Sequence, residues 1–182
     1  QARNYAQVPV GRRVVVIGGG MTAVDAAVQS RMLGADEVSI VYRRGEDAMS
    51  ASAHERDWAR TNGVQVRHWA TPKEILARDG HVTGVRFART RLQAGKLVET
   101  GEDFIVPADM VLKAIGQSLV AQPLGALVEI QGGRIVTDAD GATSHARIWA
   151  GGDCRAGGRD LTVEAVEHGK RAALAMHRML SA

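Results

Sequence analysis

One cysteine, Cys154, stands in a chain of 182 residues, which excludes an internal disulfide and any Cys-x-x-Cys redox or metal motif. Without that motif the chain is not a disulfide reductase of the thioredoxin reductase type. The histidines, His54, His68, His81, His145, His168 and His177, never fall at metal-ligand spacing, so no metal is assigned. No run of about eighteen apolar residues is present, and the opening "QARNYAQVPVGRR" lacks the apolar stretch of a signal peptide. The expectation is a cytoplasmic protein without a membrane partner. Basic residues are scattered at a formal net charge of only +3, which argues against a nucleic-acid partner. Tyr-x-x-x-Lys, the acid of many stand-alone Rossmann dehydrogenases, is also missing, since neither Tyr5 nor Tyr42 has a lysine four residues on. No catalytic side chain is assigned.

What is present is the mix of an ordinary globular protein, 45% hydrophobic and 24% charged, able to bury a core. "RRVVVIGGGMTAVDAAVQSRMLGADEVSIVYRR" reads as strand, glycine turn, helix and strand. Val14 to Ile17 is a continuous apolar run, as in a strand buried on both faces of a parallel sheet. Ala23, Ala26, Ala27, Ser30 and Leu33 recur at helical spacing over 22–33, and Gly34 stops the helix. Val38 to Tyr42 completes a βαβ unit. Ser52 with Glu55 forms a capping-box pattern that predicts a helix over 53–61. "VQVRHW" reads as the third strand, "EILARDGHVTGVRFART" and "KLVETGEDFIVPAD" as an antiparallel meander turning at Asp79-Gly80 and near Gly95 and Gly101, and "MVLKAIG" as a returning strand. Beyond Gly116 the pattern predicts a loop, two strands around the Asp140-Gly141 turn, and an amphipathic last helix. These last elements are too few to close a doubly wound sheet and read as the end of a domain that begins elsewhere.

Gly18-Gly19-Gly20-Met21-Thr22-Ala23 fits G-x-G-x-x-A between strand and helix. Gly18 permits the tight turn, Gly20 lets a pyrophosphate approach the backbone, and Ala23 lets the helix pack on the sheet; the helix N-terminus then faces the phosphates. An acid usually closes the second strand, where it holds the ribose hydroxyls of NAD. Here Arg43 and Arg44 stand in "EVSIVYRRGEDAM", and a guanidinium pair suits the 2'-phosphate of NADP. Glu46 and Asp47 lie close enough to serve a ribose, so NAD stays open. "RIWA" reads as a strand that delivers Gly152 and Asp153 to its carboxyl end, and Leu161, Thr162 and Val163 open the last helix. Cys154 reads as a small buried residue.

"VVVIGGGMTAVDAA", "VSIVYRRGEDAM", "GVRFART", "MVLKAIGQ" and "WAGGDCRAGGRDLTVEAVEHGKRAA" follow one another over nearly the whole chain. This ordered set resembles the flavin-containing, NAD(P)H-oxidising module of the glutamate synthase small subunit and of dihydropyrimidine dehydrogenase. The helix "TVEAVEHGKRAA" is modestly closer to the second. The resemblance implies an α/β fold: a linker over 1–11, a Rossmann-like NAD(P)H domain with parallel sheet and meander over 12–115, and the C-terminal part of a split FAD domain over 116–182. It further implies that the opening FAD half and an Fe-S domain are missing partners, that an electron-accepting subunit or domain lies downstream, and that this stretch is a fragment. Residue by residue, Gly18, Gly20 and Ala23 would hold the pyrophosphate, Arg43 and Arg44 the adenosine phosphate, Asp153 the ribityl or pyrophosphate part of FAD, and Thr162 and Val163 the flavin ring. Gly19, Met21, Thr22, Gly116 and Gly152 complete the cofactor-binding set. Met21 stands where the family usually has Asn or Asp, and Ser50 where it usually has Pro. The implied activity is hydride transfer from NADPH to FAD with electrons passed onward. The alternatives are a stand-alone Rossmann dehydrogenase and a non-catalytic nucleotide-binding or assembly module.

Overall fold

The structure, a computed structural model, describes residues 7–181, so residues 1–6 of the expected linker lie outside the described residues. Two compact units divide the chain at Gly116/Gln117.

In the first unit a four-stranded parallel sheet runs in the order β3-β2-β1-β7, built from β1 (Arg13–Ile17), β2 (Glu37–Val41), β3 (Gln65–Arg67) and β7 (Met110–Lys113). The alternation of side chains along a strand divides its residues between two faces. Val14 and Val16 of β1, with Val38 and Ile40 of β2, pack against helices α1 (Met21–Met32) and α2 (Ala53–Thr61) through Val24, Val28 and Ala59. Val15 and Val41 face the other way, onto Val85, Phe87 and Val106 of the antiparallel meander. Both faces are covered, which explains the unbroken apolar run of β1. Val10 also packs on the helix-side core, so part of the expected linker belongs to this unit.

The meander comprises β4 (Ala70–Arg78), β5 (His81–Gln93) and β6 (Lys96–Pro107). Its turns at Asp79-Gly80 and Ala94-Gly95 have positive φ at both central residues, as two-residue hairpins require. Pro72 is tolerated in β4 because that strand pairs only with β5 and shifts register there. β3 is shorter than the expected 64–69 because Trp69 takes a φ of 59° and swings the chain into β4. α1 ends one residue early, at Met32, with Leu33 as its cap. Val24 and Val28, rather than Ala26 and Leu33, carry its buried face. α2 has the predicted limits, and Ser52 and Glu55 close the capping box reciprocally at 3.2 and 2.7 Å.

The second unit departs further from expectation. Among its described residues only β8 (Ile130–Gln131) and β9 (Arg134–Ile135) form a ladder, and the expected pair around Asp140-Gly141 reduces to one bridge between Ala142 and Trp149. There Asp138 Oδ1 accepts from the amides of Asp140 and Ala142 at 2.9 Å, so a side chain takes bonds that a strand partner would have taken. A small core of Val128, Ile135 and Ala150 sits beneath this loop, and α3 (Thr162–Leu180) follows. Among the described residues no helix is long and apolar enough to cross a membrane.

Candidate functional site

The glycine turn lies at the carboxyl edge of the parallel sheet, between the end of β1 and the start of α1. Gly18 has φ 152°, and a Cβ there would lie 2.2 Å from the Ala114 carbonyl oxygen of the strand alongside. At Gly19 a Cβ would strike the Tyr42 ring at 2.5 Å. Gly20 caps α1 in extended conformation without a side-chain hydrogen bond, and its carbonyl accepts from Ala23 and Val24. The amides of Met21 and Thr22, in the first helical turn, have no carbonyl one turn back to receive them, and both residues are exposed. Ala23 is fully buried in the helix-side core. The turn is therefore closed behind by Ala114 and Tyr42 and presents free amides in front.

The loop after β2 folds back over this turn. Tyr42 Oη donates to the Ala48 carbonyl at 2.6 Å, and the Ala51 amide donates to the Gly19 carbonyl at 3.1 Å. Arg43 and Arg44 are held by their backbones from the meander and the bend before it: the buried Thr90 hydroxyl donates to the Arg43 carbonyl at 2.8 Å and the Trp69 amide to the Arg44 carbonyl at 3.2 Å. The Arg43 side chain is exposed, Arg44 is half-buried, and among the described residues neither pairs with a carboxylate.

Glu46, close in sequence and a candidate ribose ligand, is engaged elsewhere. Its Oε1 accepts from Arg60 at 2.7 Å and from Arg56 at 3.1 Å, both on α2. The Arg60 hydrogen bond, helped by Arg56, holds the Glu46 carboxyl below the usual carboxylate range. A lowered folded pKa means that this tie is complete above the ordinary carboxylate pKa and is lost as pH falls through the folded value. At neutral pH the loop thus offers two unpaired guanidinia and one exposed carboxylate, Asp47, while Glu46 is spent on α2.

In the second unit Asp153 sits in a 3-10 turn, Gly152–Cys154, and not at the end of a strand: residues 147–150 contribute only the Trp149 bridge. The turn rests on α3. The Gly152 amide donates to His168 Nδ1 at 3.1 Å, and a Cβ on Gly152, whose φ is 69°, would lie 3.3 Å from Ala165. Cys154 is half-buried, with Sγ donating to the Gly151 carbonyl at 3.2 Å, which gives the thiol a local structural bond and no base. Asp153, Thr162 and Val163 are exposed, Val163 at 76%. Arg159 bonds Glu164 through both its amide and Nε, and this contact keeps the Glu164 carboxyl below its ordinary range in the first turn of α3. Gly116 (φ 91°) lies just past β7 and is exposed. The predicted residues thus form two groups, the glycine turn with the arginine pair in the first unit, and Gly152, Asp153, Thr162 and Val163 in the second. Sequence reasoning missed Tyr42, Thr90 and Trp69 as the groups that shape the first site, because Thr90 reaches it from β5 and Trp69 from the bend before β4.

The sequence model of pyridine nucleotide-disulphide oxidoreductases matches residues 1–169. The glutamate synthase [NADPH] small chain of Escherichia coli (strain K12) is 34% identical over 182 residues, covering 90% of this chain and 38% of that protein. The NADP(+)-dependent formate dehydrogenase subunit beta of Moorella thermoacetica is 34% identical over 179 residues, covering 93% of this chain and 25% of its own length. The chain therefore spans well under half of these curated relatives. A solved thioredoxin reductase from Lactococcus lactis superposes with a TM-score of 0.78 at 26% identity, covering 96% of this chain and 54% of that structure. The single cysteine of this chain leaves the disulphide chemistry in the family's title without an internal pair here. A match of this extent, on a chain whose parallel sheet carries the glycine turn at its carboxyl edge, means that the chain belongs to the pyridine nucleotide-disulphide oxidoreductase family.

Proposed function

We propose that this chain is the NAD(P)H-binding part of a flavoprotein oxidoreductase that passes hydride from NADPH to FAD and electrons onward to a partner domain or subunit. The carrying observation is the glycine turn with free amides beside two unpaired arginines, while Glu46, one of the loop's two carboxylates, is tied to α2. A 2'-phosphate needs free cations, of which the loop has two, while the exposed Asp47 is the single acid left to a ribose. NADP(+) or NADPH is part of the name of both relatives, in agreement with this polarity.

Residues 12–115 are assigned to the NAD(P)H domain and 116–182 to the closing part of an FAD domain. The second unit fits that role in kind: Asp153 offers an exposed acceptor to sugar or ribityl hydroxyls, Val163 offers an apolar face to a flat ring, and the first turn of α3 offers amides. When bound, FAD would supply the hydride acceptor that no side chain provides. The chain's own residues would do the rest: Gly18 to Ala23 would hold the pyrophosphate, and Arg43 and Arg44 the adenosine end. No acid or base is needed for the hydride step. The electron-accepting partner is a separate domain or subunit, in keeping with relatives named as a small chain or a subunit of an enzyme.

The test is titration of the full chain with NADP+ and NAD+. Tighter binding of NADP+ is expected, and binding of neither would remove the proposal. The same preparation is expected to lack the visible absorbance of flavin. Asp153 and one helix terminus are the principal contacts offered to it, the terminus worth about 0.3 to 1 kcal/mol, against about 8 kcal/mol for micromolar binding. Stoichiometric flavin would show that the glycine turn serves FAD, and the NADP assignment of the arginines would fall with it.

A further inference from the structure

Ser50 is accounted for by neither the glycine turn nor the arginine pair, yet its hydroxyl forms a wall of the site. Gly18 and Gly19 are closed at under 3 Å by Ala114 and Tyr42, whereas a Cβ at Gly20 would meet one group alone within 4 Å, the Ser50 hydroxyl at 3.1 Å. Gly20 is thus the open side of the turn, the side by which a phosphate reaches the amides of Met21 and Thr22.

Both flanks of Ser50 are fixed. Met49 is buried with its sulfur 3.4 Å from His68 Nε2. Ala51 is buried, donates to the Gly19 carbonyl at 3.1 Å and accepts from Arg56 Nη1 at 2.6 Å, and Ser52 caps α2. Ser50 itself is exposed, and among the described residues the hydrogen bonds of this segment leave its hydroxyl unused. An exposed hydroxyl on an immobilised backbone loses little freedom when it binds a ligand.

We propose that Ser50 donates its hydroxyl to the pyrophosphate of the dinucleotide, beside the α1 amides. This rests on the reading of the turn as a dinucleotide site. A hydroxyl donating to an anionic oxygen makes a charge-assisted bond, stronger than one between neutral groups. The pyrophosphate is common to NADP and NAD, so Ser50 contributes affinity to both and selects neither. Arg43 and Arg44 do the reverse.

The experiment is calorimetric titration of the full native chain and Ser50→Ala with NADP+, NAD+ and adenosine 2'-phosphate, which carries the 2'-phosphate and no pyrophosphate. Ser50→Ala is expected to weaken NADP+ and NAD+ by the same factor, about tenfold, and to leave adenosine 2'-phosphate unchanged. Unchanged NADP+ binding by Ser50→Ala would overturn the hydroxyl contact while the site stands. A parallel loss of adenosine 2'-phosphate would overturn it as well, because it would show a structural role. A native chain that binds neither dinucleotide overturns the site and Ser50's place in it together.

Discussion

Replacing Arg43 and Arg44 together by alanine is expected to lower the affinity for NADP+ about a hundredfold and to leave NAD+ almost unchanged. Each hydrogen bond to a charged group contributes about 1.5 to 3 kcal/mol, and about 1.4 kcal/mol is a factor of ten. The fold has no stake in these guanidinia, since both residues are anchored through their carbonyls by Thr90 and Trp69, and alanine keeps those bonds. The two titrations should be run at fixed ionic strength, because an exposed cation such as Arg43 is screened by salt. Equal losses for the two cofactors, or none, would show that the pair does not read the 2'-phosphate.

Gly18→Ala is expected to destabilise the first unit by about 4 kcal/mol or more, the range reached only when a substitution breaks a specific device. The added carbon would lie 2.2 Å from the Ala114 carbonyl oxygen and 2.9 Å from its carbon, both backbone atoms of a segment that continues β7. β1 and β7 pair in parallel register from Val14 with Met110 to Ile17 with Lys113, so relief requires the sheet to open at its edge nearest the site. Gly95→Ala is the control: its φ of 76° is also positive, but a Cβ there meets nothing within 4 Å, so only the conformational cost of about 1 to 2 kcal/mol applies. Urea unfolding followed through Trp58 and Trp69, both in the first unit, separates the two. Equal midpoints for the two variants would refute the close-approach account.

Local patterns served well where the interactions that decide a segment lie within a few residues of it. The capping box predicted the start of α2 because Ser52 and Glu55 satisfy each other's backbone three residues apart, and Asn62-Gly63 marked its end. The run from Val14 to Ile17 signalled a strand covered on both faces, and the structure covers it with helices on one side and the meander on the other. The same reasoning failed at "RIWA". An apolar stretch becomes a strand only when a neighbour supplies its hydrogen bonds, and Trp149 finds a single bridge partner in Ala142. Trp69 likewise ended β3 early through a backbone conformation that no propensity of tryptophan announces.

By itself the sequence determined the βαβ unit, the glycine turn and the basic character of the loop after β2, because glycine spacing, apolar runs and charge are properties of adjacent residues. Only the tertiary structure decided which of the loop's charges remain available. Glu46 and Arg43 are three positions apart, yet Glu46 is spent on Arg56 and Arg60 of α2, while Arg43 is held by its carbonyl from Thr90 of β5, 47 residues away, with its side chain exposed. Ser50 comes to stand beside Gly20 in the same way, through the Ala51 amide on the Gly19 carbonyl. A hydrogen bond between distant segments forms only after the sheet and helices have packed, so which of the loop's charges stay exposed is a product of the packed fold.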